Sequence, residues 1–352
     1  MTMKKERRFN PSLPNSSYIF LIVFLFFGIT VEKFWSPGNL STLLLQASVL
    51  LTIAMGMAIV IMSGGVDLSV GGTISLSAVV AGTILKFGGH WILALLGAFA
   101  TGIVIGFLNG IVIQKMKVVP FITTFGMANI AQSLANVISQ KRTVYWDQLA
   151  QNEIIKTLSG NIFSKQLGSY DLAVDVISIS YISLVSILVM IAINVAFKKT
   201  RLGVYVYAIG KDQESARLSG IKTDAWVTGV YMLSGFLASI AGVMLLIRTQ
   251  SVQPTLGEGL EFYAVVSAVL GGNSLKGGKG SIGGAILGAF VLYTIRSALT
   301  LEGVSTFWVL VTIGSVLIVG MVINNLVDYF ERKAQLRVKL QQVESGLAGG
   351  DK

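Results

Sequence analysis

Between Phe34 and Leu85 the chain carries one charged residue, Asp67, inside Gly64-Gly65-Val66-Asp67-Leu68-Ser69-Val70-Gly71-Gly72. Both flanks are apolar, Leu43 to Met62 before it and Thr73 to Phe87 after it. A carboxylate is costly in hydrocarbon and, where it occurs there, marks a pathway or a paired site. The glycines around it let the backbone leave helical geometry. The pattern predicts a membrane protein with a broken helix, the break holding an acid.

Composition agrees. Hydrophobic residues make up 53% of the sequence and charged residues 12%, a balance that a soluble domain could not bury. There is no cysteine, which excludes disulfide and thiol chemistry. The one histidine, His90, lacks companions for a metal site or a general-base role. No cofactor is expected.

The net charge of +10 does not point to nucleic acid, because Lys and Arg gather in short segments between apolar runs. Ten such runs stand out: Tyr18–Val31, Leu43–Met62, Thr73–Phe87, Trp91–Ile113, Val118–Ile138, Ile177–Phe197, Trp226–Ile247, Glu261–Leu270, Ser281–Thr300 and Phe307–Val327. The fold class expected is all-α, a polytopic membrane protein of about ten transmembrane helices, some short or broken. Thr73–Phe87 would span only ~22 Å of a ~30 Å hydrocarbon core, so either part of the Gly64–Gly72 break dips into the membrane or the helix is locally shortened.

With both termini inside, nineteen of the 27 Lys and Arg fall on the cytoplasmic side, which sets the orientation. Lys4-Lys5-Glu6-Arg7-Arg8 resembles the start of a signal peptide, but no A-x-A site follows the first apolar run. The expected divisions are a cytoplasmic segment 1–17, a transmembrane domain 18–327 and a cytoplasmic tail 328–352. Within the domain, 141–176 is an external loop and 198–224 a basic cytoplasmic loop.

Several motifs carry less than they suggest. Gly278-Lys279-Gly280-Ser281-Ile282-Gly283 matches G-x-G-x-x-G but lacks the strand of a dinucleotide fold, and it fails as a P-loop. Gly102-x-x-x-Gly106-x-x-x-Gly110 and Gly280-x-x-x-Gly284-x-x-x-Gly288 are faces for close helix packing, within the chain or between subunits. Gly64-Gly65-x-x-Leu68-x-x-Gly71 recurs as Gly271-Gly272-x-x-Leu275-x-x-Gly278, which is either an internal duplication or coincidence in a glycine-rich chain.

Within Val118–Ile138, Asn129, Gln132, Ser133 and Asn136 recur at helical spacing on one face, and Gln46 and Asn109 add amides in neighbouring runs. Amides both donate and accept, which suits a path for a neutral hydroxylated solute. The alternative is hydrogen bonding between helices. Asp67 has the same two readings, a group on the path or a polar turn.

Five segments, in order, resemble one family. Gly65-Val66-Asp67-Leu68-Ser69-Val70-Gly71 resembles G-[IV]-D-L-S-V-G, and Pro120-Phe121-Ile122-Thr123-Thr124-x-Gly126 resembles P-F-I-T-T-L-G. Thr200-Arg201-x-Gly203, Ala208-Ile209-Gly210 and Ala216-x-x-Ser219-Gly220-Ile221 resemble its inner loop. Gln253-Pro254-Thr255…Glu261 and Leu270-Gly271-Gly272-x-Ser274-Leu275-x-Gly277-Gly278-x-Gly280 complete the order. The family is the permease subunits of ABC importers for monosaccharides, of the ribose and methyl-galactoside type. One departure is Gly210-Lys211-Asp212 where the family has Gly-Gly-Asn.

The resemblance implies a bacterial inner-membrane subunit that is not itself an enzyme. It implies a second permease subunit in a homodimer, a separate ABC ATPase docking on 198–224, and an external sugar-binding protein. Gln46, Asp67, Asn109, Asn129, Gln132 and Asn136 would then line or gate the path. Arg201, Glu214 and Arg217 would contact the ATPase, with motion passing through Ala216-Arg217-Leu218-Ser219-Gly220. The rival reading is a transporter or channel complete in one chain, which ordinarily buries several ionisable groups.

Overall fold

The computed structural model describes residues 15–145, 160, 179–316, 318–320, 322 and 333. Most of the 141–176 connection, the first fourteen residues and nearly all of 328–352 lie outside the described residues, so the expectations for them are not met with structure. The rest is mostly helical. In chain order the elements are α1 (Asn15–Thr30), α2 (Pro37–Met62), α3 (Val70–Lys86), α4 (Trp91–Lys115) and α5 (Pro120–Ile138). There follow β1 (Val144–Tyr145), α6 (Tyr181–Lys199), α7 (Arg201–Lys211), α8 (Gln213–Leu218), α9 (Thr223–Thr249) and β2 (Ser251–Val252). The chain continues through α10 (Leu260–Leu270), α11 (Ile282–Leu301) and a last apolar helix, α12 (Thr306–Gly320).

Each apolar run overlaps one helix. Among the described residues, five helices are long and apolar enough by themselves to cross a membrane: α2, α4, α6, α9 and α11. Helix starts follow local chemistry. Pro37 and Pro120 open α2 and α5, where a missing N–H costs nothing. Ser36, Ser180 and Ser281 cap α2, α6 and α11 by accepting the N–H of Asn39, Ile182 and Gly284.

The centre is α2, 83% buried over its most apolar window, with α9 beside it at 78%. By the same measure α4 is 28% and α6 22% buried, so these two present apolar surface outward. The α4–α9 contact depends on glycine. A β-carbon at Gly102 or Gly106 would collide with the carbonyl oxygen of Gly235 or Tyr231, and one at Gly110 would stand 2.5 Å from the Thr228 α-carbon. Gly284 and Gly288 of α11 meet the Gly271 and Ser267 carbonyls of α10 in the same way. Both glycine faces therefore serve packing within the chain. A hydroxyl clamp joins α2 to α6, with Ser186 donating to the Ser48 carbonyl at 2.9 Å and standing 3.3 Å from the Thr52 hydroxyl.

Outside the helices, β1 and β2 pair antiparallel, Val144 with Val252 and Tyr145 with Ser251. This ties the segment after α5 to the one after α9.

Candidate functional site

α2 ends at Met62 and α3 begins at Val70, so the break covers Ser63 to Ser69. Gly64 adopts a positive φ of 91°, which turns the chain out of the helix. Asp67 sits in the break at 1% exposure. Its Oδ1 accepts the Ser69 N–H at 3.0 Å and the Ser69 hydroxyl at 2.6 Å, and its Oδ2 accepts the Ser234 hydroxyl of α9 at 2.7 Å. Because Ser69 spends its proton on the carboxylate, its oxygen is free to accept the Asn109 Nδ2 at 2.8 Å. The Leu68 N–H donates to the Thr124 hydroxyl of α5 at 3.0 Å. The acid, with Ser69, thus links the break to α4 and α9, while the backbone beside it links the break to α5, and a buried carboxylate is tolerable because hydroxyls and an N–H surround it.

A second break lies between α10 and α11. Asn273 organises it: its Nδ2 donates to the Ala268 carbonyl at 2.7 Å, and its Oδ1 accepts the Ser281 N–H at 2.9 Å. The segment leading into α10 also reaches the first half of α3, since the Gly257 N–H donates to the Ser75 hydroxyl at 3.0 Å. Gly71 packs directly against Gly257 and the Glu261 carboxylate, with no room for a β-carbon.

The six amide and acid positions expected on a path are not gathered in one chamber. Asp67 and Asn109 share the buried network. Asn129 is exposed on α5 and donates to the Phe125 carbonyl at 2.9 Å. Gln132 and Asn136 are half-buried beside it, Gln132 donating to the Pro254 carbonyl and Asn136 to that of Gln132. Gln46 lines a separate cavity of about 310 Å³ together with Lys33, Asn39, Tyr293 and Arg296. The exposed part of the α5 face therefore carries Asn129 and Ser133 among Phe121, Phe125, Ile130 and Val137.

The basic connection 198–224, read as a loop, is helical over most of its length. Thr200 caps α7 through the Leu202 N–H at 3.2 Å. Asp212 caps α8, accepting the N–H groups of Glu214 and Ser215 at 3.0 and 3.2 Å. The Ser215 N–H, then the Ser215 hydroxyl and the Glu214 N–H, hold the Asp212 carboxyl below the usual carboxylate value. Arg217 grips Glu214 at 2.6 Å, and that hydrogen bond lowers the Glu214 pKa. Ala216 is buried, whereas Arg201, Glu214, Arg217, Ser219 and Gly220 are exposed. Leu218 is 75% exposed, an apolar side chain left uncovered at the tip. Gln213 donates to Gln114 of α4 at 2.7 Å, and both line a cavity of about 280 Å³ with Gly64, Gly65 and Lys117.

Sequence alone does not mark Ser234, Thr124, Asn273 or Ser281 as site residues. A serine or threonine in an apolar run carries no signal of which distant group it will meet.

The model of the family described as branched-chain amino acid transport system / permease component matches residues 39–322. The chain belongs to that family. It is therefore a membrane permease, and the apolar helices above are those of a multi-pass protein. Among its relatives, the ribose import permease protein RbsC of Bacillus subtilis is 35% identical over 308 residues, covering 87% of this chain and 90% of the relative. The RbsC of Escherichia coli K12 is 32% identical over 314 residues, covering 89% and 94%. The galactose/methyl galactoside import permease protein MglC of Haemophilus influenzae is 30% identical, covering 94% and 99%. No solved structure gives a significant match.

Proposed function

We propose that the chain is the membrane-spanning subunit of an ATP-driven importer that carries a monosaccharide, or a similar small neutral polyhydroxylated solute, across the bacterial inner membrane. The observation that carries this reading is the α5 face. Asn129 and Ser133 stand exposed there on an apolar helix, where lipid would leave them poorly solvated. A second permease subunit facing this stripe would enclose a path lined by neutral donors and acceptors. Loose contacts of that kind release what they admit. The sugar class comes from the three relatives above, each named for sugar import.

In this reading about ten helices cross the membrane and both termini lie inside. The exposed tip of α8, with Leu218 beside Arg217, meets a separate ATPase, and an external sugar-binding protein delivers the solute. The family description mentions branched-chain amino acids, but a zwitterion calls for paired opposite charges, and the stripe holds amides and hydroxyls.

The test is uptake by vesicles containing the chain with its co-purified ATPase and binding protein. ATP-dependent accumulation of labelled ribose, galactose or fructose is expected, with Asn129→Leu assembling normally and transporting poorly. Leucine uptake with no sugar uptake would overturn the solute class. Uptake by the chain alone, without ATPase, would replace the reading with that of a single-chain carrier.

A further inference from the structure

We infer that Gly210 is the joint through which movement of α7 and α8 reaches both helix breaks at once. The inference rests on the reading of α8 as the ATPase contact and adds where the motion goes next.

Gly210 is the penultimate residue of α7, two residues before the Asp212 cap of α8. A β-carbon there would run into the carbonyl oxygen of Met62, the last residue of α2, and would stand 2.6 Å from the Gly278 amide nitrogen. Those two groups are bonded to each other, the Gly278 N–H donating to the Met62 carbonyl at 2.9 Å. The α-carbon of Gly210 therefore lies against the hydrogen bond that links the first break to the second. Gly277 closes the arrangement: its β-carbon position is 2.5 Å from the Gly210 carbonyl oxygen and 2.9 Å from the Gly64 α-carbon. Gly277 and Gly278 have φ values of 79° and 70°, which glycine adopts without strain.

Side chains flex; backbone stacked on backbone does not. A displacement of α7 has no rotamers to absorb it before it meets Met62 and Gly278. From Met62 it enters the break that holds Asp67, and from Gly278 it enters the Asn273 turn that starts α11. A second strut runs parallel to the glycine contact. Tyr207, one turn before Gly210, donates its hydroxyl to the Gly280 carbonyl at 2.8 Å. Packed elements of this kind shift between discrete arrangements and do not bend continuously.

The experiment uses the assembled importer in vesicles, with Gly210→Ala, Tyr207→Phe and Arg217→Glu. Gly210→Ala is expected to transport about tenfold less or worse per assembled complex while ATP hydrolysis continues. Hydrolysis should no longer respond to loaded binding protein, which distinguishes lost coupling from lost protein. Tyr207→Phe, which leaves the glycine contact untouched and folds readily, should show the same uncoupling more weakly. Both variants behaving as wild type, or losing transport only in proportion to lost assembly, would overturn the joint. Arg217→Glu reports on the underlying reading: normal coupling there removes α8 from the ATPase contact. Blocked transport in Arg217→Glu with coupled Gly210→Ala and Tyr207→Phe would keep that contact and reject Gly210.

Discussion

The hydroxyl of Ser234 donates to the carboxylate of Asp67 across 2.7 Å, joining residues 167 positions apart. This contact ties the one acid of the α2–α3 break to α9. It changes what substitution at Asp67 should do.

Asp67→Asn can keep the Ser69 contacts through its oxygen and offer its NH2 to Ser234, so it should assemble. Asp67→Ala strands the Ser69 N–H and the Ser234 hydroxyl in the interior, at ~1–3 kcal/mol for each unsatisfied group. We expect Asp67→Ala to unfold at clearly lower temperature in detergent, with Asn between Ala and wild type. Ser234→Ala combined with Asp67→Ala should cost less than the two single changes added together. Strict additivity in that cycle would mean that the pair does not interact.

The glycines divide by what they touch. Gly106→Val drives two methyl groups into the Tyr231 carbonyl and should abolish accumulation of folded protein. Gly229→Ala should be silent, since nothing lies within 4 Å of its missing β-carbon. Quantitative blotting of membranes after expression, with size exclusion of the solubilised protein, checks both.

Orientation is open to direct test because the chain has no cysteine of its own. Single cysteines at Ser215 and at Phe87, both exposed, should differ in reaction with an impermeant thiol reagent in outer-membrane-permeabilised cells. Phe87→Cys should label and Ser215→Cys should label only after lysis. The opposite pattern would place α8 outside and remove the ATPase reading altogether.

The α8 cap should depend on pH. The Asp212 and Glu214 carboxyls sit below their usual values in the folded protein, so their contribution is fully present above the ordinary carboxylate range. It is lost as pH falls through their lowered values. Amide exchange at Ser215–Leu218, corrected for intrinsic rate, should therefore accelerate on acidification. Asp212→Ala should remove most of that pH dependence while exchanging fast throughout. The groups are fully exposed, so added salt should weaken the effect of the Glu214–Arg217 pair.

The sequence was most readable where one residue type dominates a long window. Apolar runs such as Leu43–Met62 announced α2, and one acid among glycines announced the break. The amphipathic α7 and α8 lie in a basic stretch and are too short and too polar to stand out as apolar runs. The Asp67 network was half legible: its acid stood out, but Ser234, Thr124 and Ser69 look like any small polar residue in a membrane helix. The expected path residues were chosen by chemical type, and type does not say which way a side chain faces. Asn109 turned inward to Ser69, while Asn129, equally an amide on an apolar helix, turned out.

α2 has almost no surface of its own left for lipid, and that constrains how the protein can be made. It leaves the ribosome long before α6 and α9, so at first Ser48, Thr52 and Asp67 have neither Ser186 nor Ser234 to meet. Insertion must therefore precede enclosure: α2 enters the bilayer as one helix among lipids, and lipid is squeezed from around it only when the later helices arrive. A chain interrupted before Thr223 would hold an acid whose Oδ2 lacks Ser234, and a lipid-wetted future core.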